Sequence, residues 1–568
     1  MIRFAFLKIL FGRTDMKNIF ELGKKTPEQS VVSSDRSKYE HLAAALICLL
    51  VSLATLAICT RSSFLYPLND WVDSNCYFTV GKSMFNGKVV YRDIYEQKGV
   101  LLYFIHGIAY LFSNTSFIGV FIFEVIFFAA FLYISYLCAR LYVNYMLSLC
   151  FLPVMAHSIM TSVSLRQGDS AEEFCLPFLV LPIYMFLRSV KKGDGSGIPS
   201  TKGIILLGMG AACVLWIKYT LLGIYIGYVL CAMLMCITDK QPIKLINCAT
   251  AFITGAAIVS LPFLIYFAAN GALGDLWEVY FYNNMFLYTD ERTLTDKLAG
   301  IASLSVRGLS YNGLWGTLVY LGFFSLVLDI KHPRKAAGAV LLYIGCVFFI
   351  YWGGIGWYYY SFGMVALCVP GFVFIQRAVY YLYKQAKHAG ELLYARLAKG
   401  SPQIKNAASR ACRIFDAPTR KAVSYVITAA LVLSLGIGYT YECYTDSPNV
   451  FYMEYDRDEI WQEKFAKIIN ESDEKTLLNY SCLDLGLYTT ANIVPSEKYF
   501  ARLNIDLKAM KDSLNSSISE QRTKFVVYRG NPSNFVLYYY RIVATEVSHL
   551  EYEGSTAYYH LLVRRDGV

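Results

Sequence analysis

The residues best suited to chemistry lie between Asp70 and Gly99. The stretch opens Asp70-Trp71-Val72-Asp73-Ser74-Asn75 and closes Tyr91-Arg92-Asp93-Ile94-Tyr95-Glu96-Gln97-Lys98-Gly99. A carboxylate there can take a proton from an attacking hydroxyl, and a fixed cation can meet a departing anion. Tyr77, Val80, Gly81 and Met84 recur at helical spacing, which predicts a short amphipathic helix along an interface. The same charges also suit an ordinary wet loop whose acids pair with Lys82, Arg92 and Lys98. Charge alone favours the wet loop.

Three further places have reactive side chains. Arg166-Gln167-Gly168-Asp169-Ser170-Ala171-Glu172-Glu173 precedes an apolar block, where acids also complement a helix N-terminus. Lys218 sits between two apolar blocks, and its charge requires either snorkelling or an anionic partner such as a phosphate. The run Tyr280 to Tyr288, with Asn283 and Asn284 inside it, reads as an interfacial aromatic belt or as part of a binding surface. Asp70, Asp73, Asp169, Glu172 and Glu173 could together hold a divalent cation through oxygen, but no obligatory metal is expected.

These groups need elements to position them, and composition says what those are. Of 568 residues, 56% are hydrophobic and 17% charged, with a mean hydropathy of +0.40. Apolar blocks fall near 42–60, 100–113, 115–137, 143–163, 171–188, 203–217, 221–238, 246–269, 313–330, 337–353, 357–382 and 422–440. A bilayer needs roughly 20 apolar residues per crossing, and backbone in hydrocarbon must be helical. The first block begins near His41 after a mixed-charge leader, so it reads as an uncleaved first span. A net charge of +10 could point to nucleic acid. The basic residues, however, concentrate in the leader, at Arg188/Lys191/Lys192, at Lys240/Lys244, at Lys331/Arg334/Lys335 and through 383–421. That is the pattern of cytoplasmic loops, and nucleic acid is not expected. The 15 Cys lie mostly in apolar blocks and form no zinc pattern.

Parity requires one block not to cross, because otherwise Lys191 and Lys192 would lie outside. Pro153 marks 143–163 as a re-entrant pair, leaving about 11 crossings. The expected layout is a cytoplasmic leader (1–41), a transmembrane region (42–382), a basic cytoplasmic segment (383–421), a last span (422–440) and an extracytoplasmic domain (441–568). Residues 386–398 suit either an amphipathic surface helix or a solvated connector. Short β-rich runs at 476–480, 524–528, 540–547 and 557–563, with a helical pattern over 499–513, predict a small α/β fold for the last domain.

The first-loop motifs change the weighting. Asp73-Ser74, Tyr91-Arg92-Asp93 and Glu96-Gln97-Lys98-Gly99 resemble the C-type (GT-C) membrane glycosyltransferases, the superfamily of protein O-mannosyltransferases and lipid A aminoarabinose transferases. More closely, the loop resembles bacterial membrane glycosyltransferases whose first outer loop runs Asp-Ser-x-x-Phe, Gly, Tyr-x-Asp and acid-His-Lys-Gly-Pro. Here Phe78 falls one position late, Gln97 replaces His, and Val100 replaces Pro. Trp357-Tyr358-Tyr359-Tyr360 stands where relatives often show His-Tyr, so a catalytic histidine is not expected there.

The resemblance implies an inverting transfer of a sugar from a polyprenyl-phosphate donor to a glycan, lipid or protein acceptor outside a bacterial plasma membrane. Asp73 would be the base, with Asp70 as understudy, and Glu173 or Asp169 would assist. Lys98, Arg166 and Lys218 would steady the phosphate, with Arg92, Asp93, Glu96, Asn284 and Tyr288 completing the substrate site. The rival readings are a flippase of lipid-linked glycan and a non-catalytic wall-binding protein.

Overall fold

The computed structural model describes residues 34–192, 198–287, 293–329, 333–400, 417–548 and 556–566. Tyr288 and residues 401–416 of the basic segment lie outside these. The helices of the apolar region are α1 (Ser34–Cys59), α2 (Val72–Phe85), α3 (Val100–Tyr110), α4 (Ile118–Arg140), α5 (Tyr145–Met160), α6 (Ala171–Lys192) and α7 (Thr201–Lys218). They continue with α8 (Gly223–Thr238), α9 (Pro242–Ala269), a π-helical stretch Leu276–Leu287, α10 (Leu294–Ser310), α11 (Gly313–Asp329) and α12 (Pro333–Tyr351). A 3-10 stretch, Tyr358–Cys368, leads into α13 (Val369–Gly400), and α14 (Ala417–Asp446) follows. Among the described residues, seven helical stretches are long and apolar enough to cross a membrane, and five shorter apolar helices accompany them. Ile243, Ile246, Ile253 and Ile258 on α9, and Val426, Ile427 and Leu433 on α14, are exposed. An apolar face of this kind belongs against lipid.

The basic ends of the helices meet in one layer. The Tyr142 ring takes Lys191 at 5.3 Å and Arg377 at 5.1 Å. Arg334 pairs with Asp239 at 2.5 Å, and the Tyr425 hydroxyl donates to Glu40 at 2.7 Å.

One expectation needs correction: the block at 143–163 is not a re-entrant pair. α5 is a single helix that continues through Pro153. Tyr145 at its start packs on Tyr425 near the start of α14, and His157 near its end pairs with Asp446 at the far end of α14, 3.0 Å away. It is therefore one continuous helix lying along its neighbour. The block that stays on one side is α3. Its 11 residues span about 16 Å, half of a hydrocarbon core of about 30 Å. The amide before it, Gly99 N, donates to Ile217 O at 3.0 Å, and Thr115 O just beyond it accepts from Arg457 of the C-terminal domain at 2.8 Å. Both ends lie at the same face. Crossing by α1, α4 to α9 and α11 to α14 satisfies the charge parity, so the proline was the wrong marker.

The last domain holds α15 (Trp461–Asn470), β1 (Leu477–Asn479), α16 (Leu487–Thr490), α17 (Lys508–Ser519), β2 (Phe525–Arg529), α18 (Asn534–Tyr539), β3 (Tyr540–Ser548) and β4 (Ala557–Arg564). The sheet order is β1-β2-β4-β3, with β1 and β2 parallel and the other pairs antiparallel. Residues 499–507 precede α17 without joining it; the Phe500 carbonyl accepts from Asn479 N at 3.1 Å and so extends the β1 edge.

This domain sits on α2, which is why that helix is buried from Ser74 to Ser83 rather than lying bare on an interface. Thr79 donates to Asp484 Oδ2 at 2.6 Å, and the fully buried Lys82 reaches Tyr488 O at 2.9 Å. Burial pushes Asp484 up to about 6 and Lys82 down to about 8. A raised Asp favours folding most when protonated. Its contribution is complete below about pH 4, where the unfolded chain is also protonated, and is lost as pH rises through about 6. Holding the carboxyl at about 6 rather than at its ordinary value corresponds to about 3 kcal/mol. Asp484→Asn should therefore gain about that much stability relative to wild type between pH 4 and 7, read from unfolding midpoints in detergent. Parallel pH profiles would contradict the assignment.

Candidate functional site

The first loop is built around Tyr91. Its ring is fully buried, stacked on Phe267 and Tyr280 at 5.5 and 6.2 Å, and this compensates a left-handed φ of +69° that a bulky residue rarely adopts. Its hydroxyl donates to Lys98 O at 2.6 Å. Asp93 accepts from Val89 N at 2.8 Å and closes the turn, while the Arg92 guanidinium holds its carboxyl below the usual range. The Tyr-x-Asp motif is thus a clamp that aims Lys98. Arg92 itself reaches Asn270 O at 2.7 Å, and neither Arg92 nor Asp93 lines the cavity described below.

The 166–169 turn is the second frame. Arg166, Gly168 and Asp169 all have positive φ, and a Cβ at Gly168 would lie 2.0 Å from Thr60 Oγ1, so only glycine fits. Arg61 N donates to Gln167 O at 2.8 Å, and Asn449 Nδ2 donates to Arg166 O at 2.8 Å. Ser170 Oγ then accepts from Glu173 N at 3.0 Å and caps α6. The third frame is the end of α7. There Tyr280 donates to Leu215 O at 2.5 Å and accepts from Tyr219 N at 3.2 Å, which ties the π-helical stretch to Lys218.

Between these frames lies a cavity of about 710 Å³ on the face that carries the C-terminal domain. Asp73, Glu96, Lys98, Arg166, Lys218 and Asn284 all line it. Residues up to 211 apart in sequence, Asp73 from the first loop and Asn284 from the π-helical stretch, so share one space. Leu483, Leu503 and Asn504 supply a wall from the C-terminal domain. Asp73 sits in the first turn of α2, half-buried, and accepts from the Tyr77 hydroxyl at 3.2 Å. Glu96 accepts from Lys98 N at 2.9 Å and from the Tyr103 hydroxyl. Lys98 lies over the Tyr77 ring at 5.6 Å. Lys218 pairs with the buried Glu172 at 2.5 Å and stands 4.1 Å above the Tyr360 ring. Three cations lining one cavity with Asp73 and Glu96 can hold a phosphate and accept a proton.

Other expected site residues lie elsewhere. Asp70 pairs with the buried Arg61 at 2.5 Å, and Arg61 is stacked 4.6 Å from the Tyr452 ring. Asp70 thus joins the first loop to the C-terminal domain. Asp169 and Glu173 are buried behind the cavity. Asp169 Oδ1 meets His106 Nε2 at 2.8 Å, and Asp169 N donates to Glu124 at 2.8 Å and Glu173 at 3.0 Å. Burial raises the Asp169 carboxyl, with His106 opposing. Of the five acids considered as cation ligands, Asp70 and Glu172 each pair with a cation, Asp73 accepts from Tyr77, and Asp169 and Glu173 adjoin each other. Among the described residues, the one group of three His, Cys or acidic side chains whose ligand atoms all lie within 4.8 Å of one another is His157, Glu442 and Asp446, away from the cavity. Sequence reasoning passed over Glu124 and His106, although a lone Glu within the apolar run of α4 is a signal in itself.

No family model matches the chain, and no curated protein sequence matches it. Solved structures do. The crystal structure of ArnT from Cupriavidus metallidurans bound to undecaprenyl phosphate is similar at a TM-score of 0.54, with 12% identity over 93% of this chain and 98% of that one. The apo state of the same protein gives 0.51 at the same identity and coverage. At that identity the likeness is one of fold. It meets the fold that the first-loop resemblance implied, and the chain is built on an ArnT-like polytopic membrane fold with a small C-terminal α/β domain.

Proposed function

We propose that this chain transfers a sugar from a polyprenyl-phosphate donor to an acceptor hydroxyl, with inversion, on the outer face of a bacterial plasma membrane. The observation that carries this reading is a cavity lined by Asp73 together with Lys98, Arg166 and Lys218. Asp73 takes the proton of the acceptor hydroxyl, whose oxygen attacks the anomeric carbon from the side opposite the phosphate. The anomeric carbon–oxygen bond breaks, and the electron pair leaves with the polyprenyl phosphate. The three cations stabilise that developing charge in a site partly shielded from water. A polyprenyl donor also agrees with the undecaprenyl phosphate bound to the ArnT relative. The acceptor is a cell-envelope glycan, lipid or protein. Mass spectrometry of envelope glycans with and without the chain tests the reading: one sugar substituent should disappear, and an unchanged profile counts against it.

The outward orientation rests on the positive-inside rule applied to the layer at Tyr142, Lys191 and Arg377. Asn86, exposed at the end of α2, gives a direct check. Asn86→Cys in intact cells should react with an impermeant maleimide, above the wild-type background. Labelling only after lysis would reverse the orientation.

A further inference from the structure

Gln97 lies between Glu96 and Lys98 and lines the cavity. It is 9% exposed. Its carbonyl accepts from Asn284 Nδ2 at 2.8 Å, which fixes the main chain. Its side-chain Nε2 is buried without a hydrogen-bond partner among the described residues. The neighbours differ: Asp73 has Tyr77, Glu96 has Tyr103, and Lys218 has Glu172. A buried N–H with no acceptor is uncommon and costly. An acceptor that arrives with the substrate accounts for it. The terminal amide torsion of Gln is soft, so rotation about it turns either end of the group into the space the residue already lines.

The surroundings select the chemistry of that acceptor. Lys98, Arg166 and Lys218 already answer a phosphate. Gln97 is neutral and both donates and accepts, which matches a hydroxyl that does the same. Building on the function proposed above, we infer that Gln97 binds a hydroxyl of the sugar carried on the lipid phosphate and so sets which sugar is accepted.

The test uses the full chain in detergent. Affinities are measured for undecaprenyl phosphate alone and for undecaprenyl phosphate bearing glucose, galactose or mannose. Wild type should prefer one sugar-bearing lipid over the bare lipid. Gln97→Met, which keeps the volume and removes the donor, should weaken that lipid about tenfold and leave the bare lipid unchanged. Gln97→His restores an N–H and should recover part of the preference. Equal weakening of both lipids, or of neither, overturns the inference, as does a wild type that does not distinguish them. In those cases recognition of the lipid phosphate stands. A wild type that binds no lipid phosphate defeats the proposed function, and this inference with it.

Discussion

Asp73→Asn is expected to lower sugar transfer by about a hundredfold to ten-thousandfold, the usual contribution of a positioned general base. Asparagine keeps the shape and can accept the Tyr77 hydroxyl, now 3.2 Å from Asp73 Oδ2. What it loses is the ability to hold a proton. Binding of undecaprenyl phosphate should stay within about twofold, because the cations that meet the phosphate are untouched. Asp70→Asn should behave in the opposite way. It removes the ionic partner of the buried Arg61, so stability falls while the chemistry at Asp73 survives. Radiolabelled transfer and unfolding midpoints, measured on both variants, separate the two acids. Persistent transfer in Asp73→Asn removes it from the mechanism.

Lys218 should show two separable effects. Glu172 is 1% exposed at its side chain and meets Lys218 at 2.5 Å. Lys218→Met strands that carboxylate, a change that costs about 3–5 kcal/mol in buried pairs. Adding Glu172→Gln removes the stranded charge, so the double variant should regain most of the lost stability. Transfer should not return with it. The cation at the cavity wall is still missing, and losing one preorganised stabiliser of developing charge costs about a hundredfold to a thousandfold. Unfolding midpoints and transfer rates on the single and double variants read the two effects apart. If transfer recovers together with stability, Lys218 is a structural ion-pair partner only.

The spans and the small α/β domain were legible because each is written locally, in apolar runs of crossing length and in short β-rich runs between turns. The first-loop motif was legible for the same reason: its residues are close in sequence, and Tyr91 clamps Lys98 only seven positions away. Sequence spacing could not separate Asp70 from Asp73. They are three residues apart, yet α2 begins between them and turns one towards Arg61 and the other into the cavity. Long-range partners were also hidden. Thr79 meets Asp484 405 positions away, and nothing in either segment announces the other. The acids at Asp169 and Glu173 looked outward from their place at the start of α6. Burying them required Glu124 and His106, both inside apolar runs that read as plain membrane helix.

The most direct measurement supplies purified full-length chain, in proteoliposomes, with sugar-labelled undecaprenyl phosphate and an envelope extract as acceptor, then follows the lipid by mass spectrometry. The account predicts that label moves to the extract while free undecaprenyl phosphate appears in equal amount, and that Asp73→Asn produces neither. Labelled lipid that crosses the bilayer intact, with its sugar–phosphate bond unbroken, would contradict it and leave a flippase in its place.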